Sequence, residues 1–192
     1  MSTPTSNCRC PAMTTPSAWV TRFAPLIPKT APVLDVACGE GRHSAWFLLQ
    51  GWSVLSVDLD VSALEPLVGT PGLTVEARDL EAEPWPWPAE SFAGIVVTNY
   101  LFRDHFMHYW ESLIPGGILI METFLRANKT IWGRPQRESH SLEENELIRW
   151  VPQQARIVAF EQGLTQRDLA VARLVIAKPS AVEPLVYPLS AG

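Results

Sequence analysis

Short apolar runs alternate with helical patterns along the middle of the chain. The runs are rich in Val, Ile and Leu, and the segments between them carry apolar residues at helical spacing or contain Pro and Gly. A continuous apolar run is typical of a strand buried in a parallel sheet. The pattern predicts five such strands, at residues 33–37, 53–59, 73–80, 92–101 and 118–125.

Helices are predicted before, between and after these strands. Thr15 or Ser17 is expected to cap a first helix that Pro28 ends, whereas the polar residues 126–142 are expected to form a loop. Ser141 and Glu144 have the spacing of a capping box, which predicts that a helix begins there. The other predicted helices are residues 42–50, 61–69 (interrupted by Pro66) and 104–114, and the capped helix covers 141–151.

Two apolar runs at residues 155–162 and 169–179 flank a turn around Gly163 and predict a hairpin. Repeated β-α units followed by a hairpin favour an α/β fold with a mostly parallel, doubly wound sheet and one antiparallel strand. We therefore predict a single domain over residues 15–179. The Ser/Thr/Pro-rich residues 1–14 and the Pro-rich residues 180–192 are expected to be tails.

Composition narrows the class of protein. Apolar residues make up 47% and charged residues 18% of the chain, as in globular proteins. The net charge of −5 argues against binding to bulk nucleic acid, and no apolar stretch is long enough to predict membrane attachment. The three cysteines form no disulfide framework and no metal site is predicted, so a cytoplasmic protein is expected. The sequence does not predict the oligomeric state.

The segment "VLDVACGEGRHS" (33–44) carries the main chemical signal, because a glycine-rich turn after a first strand often holds a ligand. No Lys follows Gly41, which excludes a phosphate-binding P-loop, and Ser44 stands where a dinucleotide fingerprint has its third glycine. The carboxylates of Asp35 and Glu40 oppose a pyrophosphate but suit a cationic ligand. S-adenosylmethionine, with its ammonium and sulfonium groups, is such a ligand.

Two further acids follow later strands. Asp58 ends the second predicted strand, nineteen residues after Gly39, where an acid accepts hydrogen bonds from ribose hydroxyls. Asp79 ends the third and is placed to accept from an adenine amine, while Leu80 offers its backbone N–H and an apolar edge. Structural alternatives remain: Asp35 and Asp58 could cap helices, Asp79 could belong to an ordinary turn, and Cys38 could be a packing residue.

The ordered series "VLDVACGEGRHS", "VDLD", "RDL", "IVVTNYL" and "PGGILIMETF" resembles the successive motifs of class I S-adenosylmethionine-dependent methyltransferases. The resemblance covers about residues 33–178. The segments "ACGEGRHS" and "GRPQ…LEENEL" look most like small bacterial methyltransferases of the tellurite-resistance type. The resemblance implies a Rossmann-like, seven-stranded sheet whose last strand is antiparallel.

The same resemblance implies cofactor contacts, with Asn99 facing the methionine part. Ala37 departs from the family pattern, because it stands at the first glycine position; its methyl group is tolerable there if φ is negative. The cofactor-binding residues expected for S-adenosylmethionine are Asp35, Ala37, Cys38, Gly39, Gly41, Asp58, Leu59, Asp79, Leu80 and Asn99.

The acceptor side is expected after the fourth and fifth strands. Tyr100, His105 and Glu122 are the catalytic candidates, and Arg103, Arg134 and His140 are the substrate-side candidates. With no added recognition domain and a negative net charge, a small-molecule acceptor is favoured. Two alternatives stay open: an S-adenosylmethionine-binding sensor or partner subunit without turnover, and an NAD-dependent oxidoreductase, which the missing third glycine and Asp35 disfavour.

Overall fold

The computed structural model describes residues 15–181 and places seven strands in one sheet. The apolar runs of the sequence supply the five inner strands because their side chains are buried on both faces of the sheet, whereas the edge strands β3 and β6 are half-buried or exposed. The strands are β1 Val33–Val36, β2 Val54–Asp58, β3 Leu73–Ala77, β4 Phe92–Thr98, β5 Leu113–Phe124, β6 Arg156–Leu164 and β7 Ala170–Ala177.

The strand order is β3-β2-β1-β4-β5-β7-β6. Strands β1 to β5 pair in parallel, whereas β7 is antiparallel to both β5 and β6. This arrangement confirms the predicted Rossmann-like sheet with a last antiparallel strand. The order reverses between β1 and β4, which makes the carboxyl ends of these two strands the place where a ligand is expected.

Within residues 15–181, five α-helices and three short 3₁₀ helices precede or connect the strands. Ser17 caps the first helix, as predicted, because its side chain accepts from the Trp19 backbone N–H. The α-helices are α1 Ala18–Phe23, α2 Arg42–Leu49, α3 His105–Ser112, α4 Ala127–Trp132 and α5 Glu146–Trp150; the 3₁₀ helices are Ala24–Leu26, Ser62–Leu67 and Glu138–His140.

Alternate strand residues feed two separate apolar layers. In β5, Leu119 and Met121 belong to the layer that includes α3 and α5, whereas Ile118 and Ile120 belong to the layer that includes α1 and α2. Because both faces of the sheet are covered, its central strands are held in place by packing, and the loops at their carboxyl ends are left to form a site.

The predicted capping box at Ser141 and Glu144 is wrong. The Ser141 hydroxyl donates to the Glu138 carbonyl, and Leu142 is buried and forms a parallel bridge with Leu125. Burial of Leu142 keeps this stretch extended, so α5 begins only at Glu146. The side chain of Glu146 folds back to accept from the Glu143 N–H.

Several predicted boundaries also differ. Residues 126–142 are not a loop throughout, since they contain α4 and a 3₁₀ helix, and residues 61–69 form a 3₁₀ rather than an α-helix around Pro66. Strand β3 ends before Asp79, β4 ends before Asn99, and β5 begins earlier than predicted. No helix within residues 15–181 is long and apolar enough to cross a membrane.

The predicted tail at residues 1–14, with Cys8 and Cys10, and nearly all of the predicted tail at 180–192 lie outside the described residues. The boundaries of the single domain therefore stay a prediction.

Candidate functional site

A cleft of about 280 Å³ opens where the strand order reverses. The loops that follow β1 and β4 form its walls, which is the position expected for a ligand in an open α/β sheet. We call it the cofactor cleft. Its lining residues are Ala37, Cys38, Gly39, Glu40, Arg42, Thr98, Asn99 and Tyr100.

Glycine stands at two positions of the loop for different structural reasons. Gly41 precedes α2 with φ of 71°, a left-handed conformation that favours glycine, and a Cβ there would meet the Leu64 side chain of the neighbouring 3₁₀ helix. Gly39 has φ of 55°, and a Cβ there would meet no atom within 4 Å. Gly39 therefore presents bare backbone to open space at the cleft, where a ligand can approach closely.

Ala37 adopts a φ of 50°. A negative φ, which would make the Ala37 methyl group tolerable, is therefore not observed. A left-handed conformation costs a non-glycine residue about 1–2 kcal/mol. Ala37 thus holds strain at the edge of the cofactor cleft.

We expect Ala37→Gly to raise the free energy of unfolding by about 0.5–1 kcal/mol, because relief of the left-handed strain exceeds the entropy that glycine adds to the unfolded chain. Ala45→Gly, in the middle of α2, is the matched control and should lower stability by a similar amount. Urea unfolding of both variants measures the effect. A loss of stability in Ala37→Gly would contradict this reading.

Asp58, at the end of β2, holds the glycine loop. Its Oδ2 atom accepts from the Gly39 N–H at 2.8 Å, and its Oδ1 atom accepts from the Asp60 N–H at 3.2 Å. Each carboxylate oxygen can accept a second hydrogen bond. Next to it Leu59 is 69% exposed, which leaves an apolar side chain uncovered beside the cofactor cleft.

Asp79 and Leu80 lie in the turn after β3. The Asp79 Oδ1 atom accepts from the N–H groups of Glu81 and Ala82, so the structural alternative of a turn-forming aspartate is present. Leu80 is buried in the core. The second carboxylate oxygen of Asp79 has capacity for another donor.

Asp35 is buried inside β1 and does not line the cofactor cleft. Its Oδ2 atom accepts from the backbone N–H and the hydroxyl of Ser44, at 3.0 and 2.6 Å, so it caps the first turn of α2 from a distant position in the chain. Its Oδ1 atom is buried without a partner among the described residues. Burial, only partly opposed by the bonds from Ser44, raises the pKa of Asp35 to about 6.

Arg42, which sequence reasoning missed, lies at the first position of α2 and lines the cofactor cleft. Its Nη2 atom lies 3.4 Å from the Thr98 hydroxyl, while its Nη1 atom is buried without a partner among residues 15–181. Burial lowers the pKa of the guanidinium, although the carboxylates of Glu122 and Asp35 act in the opposite direction; the charge of Arg167 adds to the lowering. A sequence signal for Arg42 was available, because this arginine directly follows Gly41, the second glycine of the loop.

His43 ties the cleft to α1. Its Nε2 atom accepts from the Ser17 backbone N–H at 3.1 Å, and its Nδ1 atom lies 3.5 Å from the Thr98 hydroxyl. Burial, reinforced by the charge of Arg42, lowers the pKa of His43 to about 3, so the ring is neutral at physiological pH. It therefore acts as a hydrogen-bonding link rather than as a charge.

Cys38 and Tyr100 lie on opposite loops of the cofactor cleft. The Cys38 thiol is buried, and burial raises its pKa, which suits a packing residue. Burial also raises the pKa of Tyr100, whose hydroxyl is buried without a partner in the described part of the chain. A tyrosine with a raised pKa is a poor base at neutral pH, but its hydroxyl has the capacity for a hydrogen bond that no described residue supplies.

A larger cleft of about 510 Å³ adjoins the cofactor cleft, and both are lined by Asn99. We call it the acceptor cleft. Glu122 of β5 lies at its wall, where it pairs with Arg173 and accepts from the Ser17 hydroxyl at 3.0 Å. Arg167, in the turn between β6 and β7, is also part of the lining. Neither Arg173 nor Arg167 was among the expected site residues.

His105 does not line either cleft. It is 4% exposed and packs against Phe102 and Trp85, with ring centroids at 4.6 and 5.2 Å. Burial lowers its pKa to about 4, so it is a neutral core histidine. The structure therefore does not bring this catalytic candidate to Tyr100 and Glu122 at the clefts.

Arg103 is committed to the protein itself, contrary to the expectation of a free substrate-side arginine. Its guanidinium donates to both carboxylate oxygens of Glu146 and to the carbonyls of Ser139 and Ser141. Burial opposes ionisation of Glu146, but the bonds from Arg103 and the Glu143 N–H outweigh it and hold its pKa below the usual range. Arg103 thus fastens the segment before α5 to the loop after β4.

The remaining substrate-side candidates lie apart from both clefts. Arg134 is exposed in the segment after α4, and its carbonyl accepts from the Asn128 side chain. His140 lies 3.6 Å from the Glu81 carboxylate and, with Arg103, lines a separate cleft of about 220 Å³. The structure does not bring these residues to Asn99.

Comparison with known proteins finds a family that matches part of the chain. The family described as "Methyltransferase domain" matches residues 33–117, which include β1, the glycine loop, Asp58 and Asn99. No curated protein sequence matches the chain.

Solved structures share the fold at low sequence identity. TehB from Haemophilus influenzae has a TM-score of 0.63 and 19% identity over 83% of this chain, which spans 61% of the length of TehB. The Burkholderia thailandensis 1,6-didemethyltoxoflavin-N1-methyltransferase, solved with 1,6-didemethyltoxoflavin and S-adenosylhomocysteine, has a TM-score of 0.59 and 19% identity over 84% of this chain and 76% of its own.

The cyclase SpnF has a TM-score of 0.60 and 13% identity over 84% of this chain and 81% of its own, so the fold alone does not define the reaction. The matched domain, the strand order and the glycine loop at the switch point agree with one another. Residues 33–117 thus match a methyltransferase domain family, and the chain shares its fold with solved S-adenosylmethionine-dependent methyltransferases.

Proposed function

We propose that this chain transfers the methyl group of S-adenosylmethionine to a small-molecule acceptor. The observation that carries the proposal is the pair of adjoining clefts that share Asn99 at the switch point of the sheet. One cleft, together with the loops after β2 and β3, offers groups that suit S-adenosylmethionine. The other has a volume in the range of small-ligand pockets.

The adenosine half of the cofactor is assigned to the loops after β2 and β3. Asp58 retains acceptor capacity on both carboxylate oxygens and is proposed to accept from the ribose hydroxyls. The exposed Leu59 side chain covers one face of the adenine, and Asp79 accepts from its amine. The backbone N–H of Leu80 completes this half of the site.

The methionine half is assigned to the glycine loop and α2. The unpartnered Nη1 atom of Arg42 is proposed to donate to the cofactor carboxylate, since a buried guanidinium donor needs an acceptor. The free Oδ1 atom of Asp35 serves the ammonium, directly or through water. Ala37, Cys38, Gly39 and Gly41 shape the backbone, and Asn99 faces this half.

The acceptor is placed in the cleft beside Asn99. When bound, S-adenosylmethionine supplies a methyl group on a positively charged sulfur. The chain's own part is to hold the acceptor in line and close, which contributes much of the acceleration in such reactions. Tyr100 offers a free hydroxyl, and Glu122 offers a carboxylate that Arg173 and Ser17 hold in place. A proton leaving the acceptor has Glu122 as its nearest proposed base.

Calorimetric titration with S-adenosylhomocysteine and with NAD tests the cofactor assignment. We expect heat of binding with S-adenosylhomocysteine and none with NAD, because the carboxylate of Glu40 lies at the loop where a pyrophosphate would be placed. Binding of NAD without binding of S-adenosylhomocysteine would overturn the cofactor assignment and favour an NAD-dependent oxidoreductase instead.

Arg42→Gln tests the methionine half. We expect about tenfold weaker binding of S-adenosylhomocysteine, since one charge-assisted hydrogen bond is worth about 1.5–3 kcal/mol and glutamine restores only part of it. Arg126→Gln removes an exposed arginine that pairs with Glu143 away from the cofactor cleft, and it should bind as the unchanged protein does. Equal affinities of the two variants would remove Arg42 from the site.

A further inference from the structure

The acceptor cleft contains one arginine, Arg167, that no residue between 15 and 181 neutralises in an ion pair. Among its charged lining residues, Glu122 pairs with Arg173, and Arg173 also approaches Glu161 at 3.5 Å. Arg167 is exposed, and it forms no ion pair with any residue between 15 and 181. The lining thus carries an uncompensated positive charge.

A second arginine lies close enough to interact electrostatically with Arg167. Arg42 lines the adjoining cofactor cleft, its Nη1 atom lacks a partner within the described residues, and the charge of Arg167 helps to lower its pKa. The carboxylates of Glu122 and Asp35 act on Arg42 in the opposite direction, so the attraction for an anion in the acceptor cleft comes from Arg167. The cofactor supplies one carboxylate, which Arg42 is proposed to bind, so Arg167 remains for a second anion.

The walls near Arg167 include apolar side chains beside polar ones such as Thr165 and Gln166. Leu164, Leu169 and Val171 line the same cleft at the end of the β6–β7 hairpin. A ligand that satisfies both features has an apolar body and one anionic group. A carboxylate matches the planar guanidinium with two parallel hydrogen bonds.

We propose that the methyl acceptor is a small carboxylate with an apolar body and that Arg167 binds its carboxylate group. This inference rests on the proposed function, because it uses the acceptor cleft defined there. It assigns to the turn between β6 and β7 the role of selecting the acceptor by charge. The reacting atom of the acceptor then lies toward Asn99, where the two clefts meet.

Binding of matched probes to the protein saturated with S-adenosylhomocysteine tests the inference. Benzoate has the apolar body and the carboxylate, benzamide lacks only the charge, and phenyl phosphate replaces the carboxylate. Ligand-observed NMR measures the three dissociation constants. We expect benzoate to bind about tenfold more tightly than benzamide, and more tightly than phenyl phosphate.

Two glutamine variants locate the charge. Arg167→Gln should weaken benzoate binding about tenfold and leave benzamide and S-adenosylhomocysteine unchanged. Arg156→Gln removes an exposed arginine at the opposite end of β6. This variant should bind benzoate, benzamide and S-adenosylhomocysteine as the unchanged protein does.

Three outcomes would overturn the inference: no binding of benzoate, equal binding of benzoate and benzamide, or an Arg167→Gln variant with unchanged affinity for benzoate. Preferred binding of phenyl phosphate would also overturn it, in favour of a phosphorylated acceptor. Failure of the proposed function is a separate result, since it is seen as an absence of S-adenosylhomocysteine binding before any probe is added.

Discussion

Asp58→Ala is expected to weaken the binding of S-adenosylhomocysteine about 100-fold or more. The proposed ribose contacts are two hydrogen bonds to a charged group, each worth about 1.5–3 kcal/mol, and tenfold in affinity corresponds to about 1.4 kcal/mol. The variant also removes the acceptor of the Gly39 N–H, which positions the glycine loop. Calorimetric titration measures the loss directly.

Asp60→Ala is the matched control, because Asp60 is a neighbouring exposed carboxylate that bonds to the Ser62 N–H. It should bind S-adenosylhomocysteine within about threefold of the unchanged protein. Circular dichroism establishes that both variants are folded. If the Asp58→Ala protein is folded and its affinity for S-adenosylhomocysteine is unchanged, Asp58 only positions the glycine loop and does not bind the cofactor.

Asp35→Asn is expected to raise stability at neutral pH while weakening cofactor binding. Asp35 is buried, and its pKa is raised from 3.8 to about 6. One pKa unit corresponds to about 1.4 kcal/mol, so ionised Asp35 costs up to about 3 kcal/mol of folding free energy. Asparagine removes the charge and still accepts from Ser44, but it offers no carboxylate to the cofactor ammonium.

The sign of the pH dependence follows from linkage. The folded state binds the Asp35 proton more tightly than the unfolded state does, so stability falls as pH rises from about 4 to about 6. The advantage of Asp35→Asn over the unchanged protein should therefore be absent below about pH 4 and complete above about pH 6. Urea unfolding across this range measures the difference.

Asp60→Asn, at an exposed site where the pKa of the carboxyl is lowered by its bonds to Ser62, should show no such gain. A difference between Asp35→Asn and the unchanged protein that does not vary with pH would contradict the account of Asp35. A gain in stability combined with weaker S-adenosylhomocysteine binding separates a ligand role for Asp35 from a purely structural one.

The sheet could be predicted from sequence because its signal is local. Each buried parallel strand is a continuous apolar run, and the loop after β1 contains its own glycines. The position of Asp58 followed from the same logic, since the end of a second strand is placed by the strand itself. These elements need no knowledge of distant contacts.

The acceptor cleft could not be assembled in this way. Glu122 and Arg173 lie directly opposite each other in β5 and β7, but they are far apart in the sequence. A partial signal existed, because Arg173 is the single charged residue in the apolar run 169–177 and an isolated charge there needs a partner. Nothing local indicated that Arg167 belongs to the same cleft.

Tertiary contacts also overruled local patterns. The capping-box spacing at Ser141 was defeated by the burial of Leu142 against Leu125, and the exposed character of α4 hid a helix in a polar segment. From the sequence alone Arg103 looked like an unpaired basic residue, because its carboxylate partner, Glu146, is distant in the chain and contacts it only in the folded structure. These misses share one cause: the deciding partner lies in another part of the chain.

The most direct test of the central claim is transfer of the labelled methyl group from S-adenosylmethionine into the low-molecular-weight fraction of a cell extract. We expect label in a small molecule, formation of S-adenosylhomocysteine in equal amount, and loss of both with Asp58→Ala but not with Asp60→Ala. Label found only in protein or nucleic acid, or no transfer by a protein that binds S-adenosylhomocysteine, would contradict it.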